Sequence, residues 1–479
     1  MAYCRMAYFG KDLSMNRPND NILDGKKHIH FIGIGGAGMY PLAQILHSRG
    51  YHLTGSDNNE TATLKAVRET GIEVCPLGQR AENIEGADLI VHTAAIMEDN
   101  PELVAARKSG VPVLERADLL GILTGRYDNA VCISGTHGKT TVTAMITQIM
   151  VGSGHDITAY IGGKLPLIHG SGRVGSSDTM ICEACEFKDH FLKLYPDISV
   201  ILNIDNDHLD YFKTMENSIK SFRTFAENAS KAVIVNGSDA NTMKAVEGLD
   251  KNIVTYGNSA GYDWYPENIT RMGGMHTEFD LMHSGELYTH IKLNVPGIHN
   301  VLNACAAAAA AYMSGADSSE IASGLESYTG TARRFEKYGE EKGVTVINDY
   351  AHHPAEIAAV LRAAKDMDFR NVWAFFQPFT FSRTYLLMDD FADALSIADK
   401  VVLTSIMGSR EKNDLDVHSS QLAAKISGAV YFDEEEHDAN FELTTDYVSR
   451  NAQPGDAVIT LGCGDVDKAA RLLLEKLSR

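Results

Sequence analysis

The chain has 479 residues, 44% of them hydrophobic and 22% charged. That is enough apolar material for several buried cores and a length that predicts roughly three domains. A formal net charge of −20 argues against a nucleic-acid or anionic-membrane surface, and no run reaches the roughly 18 apolar residues of a membrane span. The seven cysteines are scattered, with no even framework and no secretory signal, so the composition points to a reducing compartment, the cytoplasm.

Residues 1–26 lack an apolar core segment and are expected to form a disordered leader, with Met15 a candidate natural start. His28–Gly35 reads as a strand entering a glycine turn. Strands at 51–55, 88–93 and 111–114 then alternate with helices at 37–49, 61–70 and 100–109. This is a βαβ series, which predicts a parallel sheet with helices on both faces. Residues 121–128 read as a linker. A second alternating block opens at Ala130, with strands at 179–183, 198–203, 231–235 and 252–256. It continues with two antiparallel-looking strands at 277–282 and 286–294, then a helix from His299 to about Met313 whose Ala306–Ala311 run has high helix propensity. The third block places strands at 343–348, 371–376, 400–404 and 456–461, with helices between them and one at the C-terminus. The expected architecture is three consecutive α/β domains: Rossmann-like over 27–124, a P-loop, ATPase-like domain over 125–331, and Rossmann-like again over 332–479.

The strongest local signal is Gly135-Thr136-His137-Gly138-Lys139-Thr140-Thr141. It follows the apolar run Ala130–Ile133 and opens a stretch with Val142, Met145, Ile146, Ile149 and Met150 at amphipathic helical spacing. Strand, glycine loop and helix in that order give a phosphate-loop pattern its structural context. Backbone N–H groups at a helix N-terminus and a lysine ammonium together suit a triphosphate, and Thr140 is placed to meet Mg2+. The loop is shorter than the usual eight-residue pattern, Ile133 standing where a glycine would. The plainer reading is a glycine turn capping an ordinary helix.

A second glycine turn, Gly33-Ile34-Gly35-Gly36-Ala37-Gly38, fits a dinucleotide fingerprint, with Asp57 at a strand end about twenty residues on. NAD(H), FAD or a UDP-sugar would satisfy it equally, and Asp57 either binds a ribose hydroxyl or caps the next loop. Glu183 and His208 follow successive apolar strands of the phosphate-loop block, where ligands of open α/β sheets collect. Both suit Mg2+ or phosphate, Glu183 better because Mg2+ prefers oxygen; the alternative is two ordinary loop residues. Asn300 and Asn303 share a helix face and could pair with an adenine edge, or Asn300 simply caps the helix. Arg333 and Arg334 stand at the junction of the second and third blocks, where guanidinium groups can reach a phosphoryl group or form a solvated charge pair. Asp349-Tyr350-Ala351-His352-His353-Pro354 offers two histidines and a carboxylate but no further zinc ligand nearby. The pair Cys182 and Cys185 likewise lacks a second pair. Arg383, after the next strand, could clamp a carboxylate.

Taken in order, the motifs resemble the Mur ligase family: Gly33–Met39, Gly135–Thr141, Glu183, Asn203–His208, His299-Asn300 with Asn303, Arg333-Arg334-Phe335 and Asp349–Pro354. They span about residues 28–465, and the two histidines of Asp349–Pro354 look like the alanine-adding branch. The resemblance implies an ATP-dependent ligase that joins L-alanine to the carboxylate of UDP-N-acetylmuramate through an acyl phosphate, with no nucleic-acid or membrane partner and either a monomeric or a homodimeric state. It implies that Gly36, Ala37, Gly38 and Met39, with Asp57, take the UDP-sugar. Gly135 to Thr141, with His299, Asn300, Asn303 and Arg333, would bind ATP. Thr140, Glu183 and His208 would hold two Mg2+ ions. Lys139, Glu183, His208, Arg333 and His352 would be catalytic, while His352, His353 and Arg383 would serve the amino acid and closure. In that scheme His352 or His353 is a candidate base for the alanine amine.

Two departures stand out. Phe379 and Thr380 replace a histidine and, in many relatives, an arginine, and the acidic stretch after Glu183 reads Ala184-Cys185-Glu186-Phe187-Lys188, leaving Glu186 in support. The competing readings are a ligase that attaches a whole tripeptide in cell-wall recycling, an NAD-dependent oxidoreductase and a non-catalytic ATP-binding regulator.

Overall fold

The computed structural model describes residues 21–205, 209–271, 276–409, 411–433 and 441–479. Its chain divides into two compact units: one runs to Asp128 and includes Lys193–Tyr195, and the other holds Asn129–Leu192 and Pro196–Arg479. Residues 1–20 of the expected leader lie outside the described residues. Just beyond them, Leu23 is buried and its carbonyl accepts from the Tyr51 hydroxyl at 3.4 Å.

In the first unit β1 (His28–Ile32), β2 (His52–Ser56), β3 (Glu73–Val74), β4 (Leu89–His92) and β5 (Val113–Glu115) form one sheet in the order β3-β2-β1-β4-β5, parallel throughout. Successive strands are added to one side of β1 and then, from β4, to the other, so the crevice at the carboxyl ends of β1 and β4 is the expected ligand edge. Under the sheet His30 and Glu102 are fully buried as a 2.7 Å pair, and the Ser56 hydroxyl donates to the other Glu102 oxygen at 2.7 Å. A buried carboxylate needs such partners to offset its lost hydration.

The expected linker at 121–128 is corrected. Gly121–Thr124 closes a helix, Arg116–Thr124, whose Leu119, Leu120, Ile122 and Leu123 are buried. The Asp118 carboxylate accepts from the Glu115 N–H at 3.1 Å and starts the helix. Gly121 reads as a breaker but is needed for packing, since a Cβ there would lie 2.1 Å from the Lys193 carbonyl oxygen.

The second unit contains two sheets. The larger comprises β6 (Asn129–Ser134), β7 (Thr158–Leu165), β8 (Gly170–Arg173), β9 (Thr179–Glu183), β10 (Ile198–Ile201), β11 (Ala232–Asn236), β12 (Ile253–Tyr256), β13 (Trp264–Arg271), β14 (Thr277–His283) and β15 (Glu286–Leu293). Their order is β15-β14-β13-β12-β11-β10-β6-β9-β7-β8. The centre is parallel, and β14, β15 and β8 run antiparallel to their neighbours. Strands β7 and β8 were not expected. The helix Lys139–Gly152 is not amphipathic as expected: every residue from Val142 to Met150 is buried. Its polar face is satisfied internally, Thr143 and Thr147 each donating to the carbonyl four residues back at 2.8 Å. Ala304, Ala306–Ala311 and Cys305 are buried without exception on the helix Ile298–Met313, whose small side chains let neighbouring helices close in.

The smaller sheet holds β16 (Glu336–Glu341), β17 (Val344–Asp349), β18 (Val372–Phe376), β19 (Lys400–Leu403), β20 (Val430–Tyr431) and β21 (Ala457–Leu461), in the order β16-β17-β21-β18-β19-β20. Only β16, a charged edge strand, is antiparallel. All three sheets are thus parallel-rich with flanking helices, and no helix among the described residues is long and apolar enough to cross a membrane.

The helices Lys139–Gly152 and Ser318–Ser327 meet closely at Gly324, where a Cβ would lie 2.5 Å from the Ile149 Cα. Gly324→Ala is therefore expected to cost about 1–3 kcal/mol by overpacking, read as a lower urea midpoint at unchanged slope.

Candidate active site

Three adjacent parallel strands, β10, β6 and β9, end at one edge of the larger sheet and present the glycine loop, Glu183 and Asn203 together. The Asn203 side chain clasps the loop from both sides, its Oδ1 accepting from the His137 N–H at 2.8 Å and its Nδ2 donating to the His137 carbonyl at 2.9 Å. The Thr136 hydroxyl accepts from the Asp205 N–H at 2.9 Å. Gly138 enters the helix in the left-handed region (φ +88°), and a Cβ there would sit 3.0 Å from the Asn303 Oδ1. Glycine is required on both counts.

Lys139 folds back over the loop. Its Nζ donates to the carbonyls of Gly135 and Thr136 at 2.6 and 3.1 Å and pairs with buried Glu186 at 3.0 Å. Burial alone would push the ammonium down, but Glu186 together with Cys185 and Glu183 outweighs it and holds the pKa above the ordinary lysine value. The Thr140 hydroxyl donates to Glu183 Oε2 at 2.9 Å, and the Gly162 N–H donates to the same oxygen at 2.8 Å. A Cβ on Gly162 would lie 2.4 Å from that oxygen, so β7 must carry glycine there for the carboxylate to fit. Two hard oxygens therefore converge beside the loop. His208 lies outside the described residues.

Beyond the loop is a cavity of about 260 Å³. His137, Gly138, His299, Asn300 and Asn303 line it from the larger sheet's side, and Arg334 and Glu356 from the smaller sheet's. Asn300 does not cap its helix, which Gly297 begins; its Nδ2 donates to the Pro296 carbonyl at 2.7 Å, and its Oδ1 accepts from Asn303 at 3.0 Å. Burial lowers the His299 pKa to about 4, so it lines the cavity as a neutral ring.

His137 joins the two sheets. Its Nδ1 faces Glu356 at 3.2 Å and its Nε2 faces Asp205 at 3.5 Å, with the His353 ring 5.1 Å away, centroid to centroid. Burial pushes its pKa down, yet the carboxylates of Asp205 and Glu356 together outweigh burial and raise it to about 9. His137, Asp205 and His353 bring potential ligand atoms within 4.8 Å of one another, but an imidazolium with both nitrogens turned to carboxylates has no lone pair for a metal.

Arg333 and Arg334 part company. Arg333 (φ +60°) donates from Nη2 to the carbonyls of Gly462 and Gly464, both at 2.8 Å, and lies over the Tyr350 ring. Arg334 faces the cavity. Asp349 accepts from the N–H groups of Ala351 and Phe335, both at 2.7 Å, while burial raises its pKa to about 6 against the pull of Arg334. His352 Nδ1 lies 3.1 Å from the Tyr350 carbonyl. Arg383 lies on the helix Phe381–Leu386. Thr380, the departure noted beside Phe379, holds a left-handed backbone (φ +66°), pinned by its N–H to the Met407 carbonyl at 2.9 Å. In the first unit Asp57 ties the glycine turn, accepting from the Gly35 N–H at 3.0 Å and from the Asn59 N–H at 3.1 Å. Gly36 to Met39 form the turn before the helix Tyr40–Ser48, with the Met39 side chain buried.

Glu356 was not among the candidate residues, and Asp205 entered only as part of the run Asn203–His208, whereas Arg334 and the supporting Glu186 are where the sequence put them, beside the loop and its cavity. For Glu356 a signal existed: a glutamate at the third position of a helix opening with proline fits a capping pattern.

Comparison with known proteins matches three consecutive family models: the Mur ligase family catalytic domain over residues 28–128, the Mur ligase middle domain over 133–311, and the Mur ligase glutamate ligase domain over 333–464. The chain is 44% identical over 456 residues to a UDP-N-acetylmuramate–L-alanine ligase of Agathobacter rectalis, covering 94% of this chain and 98% of the relative. It is 43% identical over 466 residues to one of Acetivibrio thermocellus, covering 95% and 97%. Among solved structures it resembles the UDP-N-acetylmuramate-alanine ligase of Thermotoga maritima, with a TM-score of 0.78 and 27% identity, covering 94% of this chain and 99% of that one.

The charged state of His137 makes a stability prediction. A histidine whose folded pKa is raised stabilises the fold fully below its unfolded value near 6.5 and loses that contribution as pH rises through about 9. Wild type should exceed His137→Gln by on the order of 2–3 kcal/mol at pH 6 and by little above pH 10, measured by urea unfolding across that range.

Proposed function

We infer the activity from a premise the comparisons establish, that the chain belongs to the Mur ligase family: it is an ATP-dependent ligase that joins L-alanine to the carboxylate of UDP-N-acetylmuramate, giving ADP and phosphate for peptidoglycan precursor synthesis. The observation that carries the substrate pair is near-full-length identity above 40% to ligases of that name. The tripeptide ligase and the oxidoreductase are not favoured. The glycine turn at Gly33–Gly38 then serves a UDP pyrophosphate rather than a nicotinamide nucleotide.

The domain expectations carry over as proposals. Residues 27–124 bind the UDP-sugar through Gly36–Met39, 125–331 bind ATP, and 332–479 hold the amino acid through His352, His353 and Arg383. Gly135–Thr141 cradle the phosphates, and His299, Asn300 and Asn303 line the cavity for adenine. Thr140 and Glu183 suit Mg2+, because both present oxygen within one hydrogen-bond length. His208 would be a further ligand. The divalent cation would supply charge neutralisation for the transferring phosphoryl group. Use of ATP and a UDP-sugar supports a cytoplasmic location.

Amide formation from a free carboxylate is uphill, so the acid must first be activated. A carboxylate oxygen of UDP-N-acetylmuramate attacks the γ-phosphorus, the bond to the β-γ bridging oxygen breaks, and ADP leaves. Two anions meet in this step, and the Lys139 ammonium stabilises the transferred charge. The neutral amine of alanine then attacks the acyl carbonyl, the bond to phosphate breaks, and the amine proton passes to a base, for which His352 is the candidate.

The test is phosphate release with UDP-N-acetylmuramate, ATP and a panel of L-alanine, glycine, L-serine and the tripeptide. Release should require the sugar nucleotide together with L-alanine; turnover with the tripeptide alone would overturn the reading. Lys139→Ala should lower kcat by at least about 100-fold. Glu183→Gln should raise the Mg2+ concentration needed for half-maximal rate by about tenfold or more.

A further inference from the structure

We infer that Glu356 is a positioning residue for the ligase reaction: its carboxylate sets which nitrogen of His352 carries the proton and couples that ring to His137 of the phosphate loop. The inference rests on the ligase reading above and adds a residue to it. Glu356 Oε2 accepts from the His352 N–H at 3.2 Å and lies 3.3 Å from His352 Nδ1, while Oε1 lies 3.2 Å from His137 Nδ1. His352 Nδ1 also faces the Tyr350 carbonyl at 3.1 Å. A carbonyl and a carboxylate can only accept, so Nδ1 must be the protonated nitrogen. In the neutral ring that leaves the lone pair on Nε2, the form able to take the amine proton.

When the amine attacks, a C–N bond forms and the C–O bond to phosphate breaks with its electron pair. The proton leaving nitrogen goes to His352 Nε2, and the imidazolium so formed is stabilised by the carboxylate on its other side. This is the logic by which an aspartate orients the histidine of a serine-protease triad.

The carboxylate is held firmly enough for this role. Glu356 is in the first turn of the helix Pro354–Lys365, and its side chain is only 13% exposed. Facing it are His352 on its own segment, His137 from the loop after β6, Arg334, Asp349 and Tyr350 around β17, and Cys463 after β21. Burial alone would raise its pKa, but His352 and His137 outweigh burial and keep it ionised. A bare capping role would use only the contact to the His352 N–H, which a glutamine preserves.

The experiment compares full-length wild type, Glu356→Gln and Glu356→Asp at matched thermal unfolding midpoints. Acyl-phosphate formation is read by trapping with hydroxylamine without alanine, and amide formation by the complete reaction. Glu356→Gln should lower kcat for amide formation by about 10–100-fold, lower hydroxamate formation at least about fivefold less than that, and move the acidic limb of the kcat profile to lower pH. Glu356→Asp should recover part of the rate. An unchanged kcat and pH profile in Glu356→Gln, or an equal loss in both partial reactions, overturns the proposal. Wild type forming no hydroxamate overturns the ligase reading first and this inference with it.

Discussion

The parallel pairing of β6 between β9 and β10 is the constraint on which the site depends. It brings the carboxyl ends of three strands to one edge, so that a glycine loop, a carboxylate and an amide meet without any long side chain having to reach. Asn203 then locks the loop through the N–H and the carbonyl of one residue, His137, so the loop backbone is oriented before any ligand arrives. Preorganisation of this kind matters because donors already aimed at developing charge need no reorganisation during the reaction.

The charges around the loop are arranged against a bare triphosphate. Lys139 is already paired with Glu186, and Glu183 stands beside Thr140. A highly negative ligand approaching these carboxylates is repelled unless a divalent cation comes with it. On the other side of the cavity the ion pair between Glu356 and His137 links the smaller sheet to the phosphate loop. Its two ionised groups are partly shielded from water, where removal of one partner costs far more than the pair contributes.

The alternation of apolar runs with helical spacing made the three parallel-rich sheets legible, because periodicity is a property of contiguous residues. Elements whose composition serves another part of the chain were less so. β7 carries Gly162 and Gly163 and does not read as a strand, yet those glycines are there to admit Glu183 and Thr140. Gly121 gave the helix Arg116–Thr124 the look of a linker for a similar reason, its missing Cβ making room for the Lys193 carbonyl. The helix after the phosphate loop looked half-exposed because its threonines count as polar, whereas their hydroxyls are spent on the helix's own carbonyls. Arg333 and Arg334 are indistinguishable as neighbours in sequence; a left-handed backbone at Arg333 sends one to the Gly462 and Gly464 carbonyls and the other to the cavity.

Local chemistry was therefore decided by the sequence alone: strand, glycine loop and helix at 129–152, a carboxylate at the end of β9, two asparagines on one helical face, and the order of motifs that identifies the family. Tertiary structure alone decided which charges meet. His137 and Glu356 are 219 residues apart, and nothing in either segment announces the other. Glycine turns and hydrophobic periods act over a few residues, whereas an ion pair depends on a distance of a few ångströms that only the assembled sheets can set.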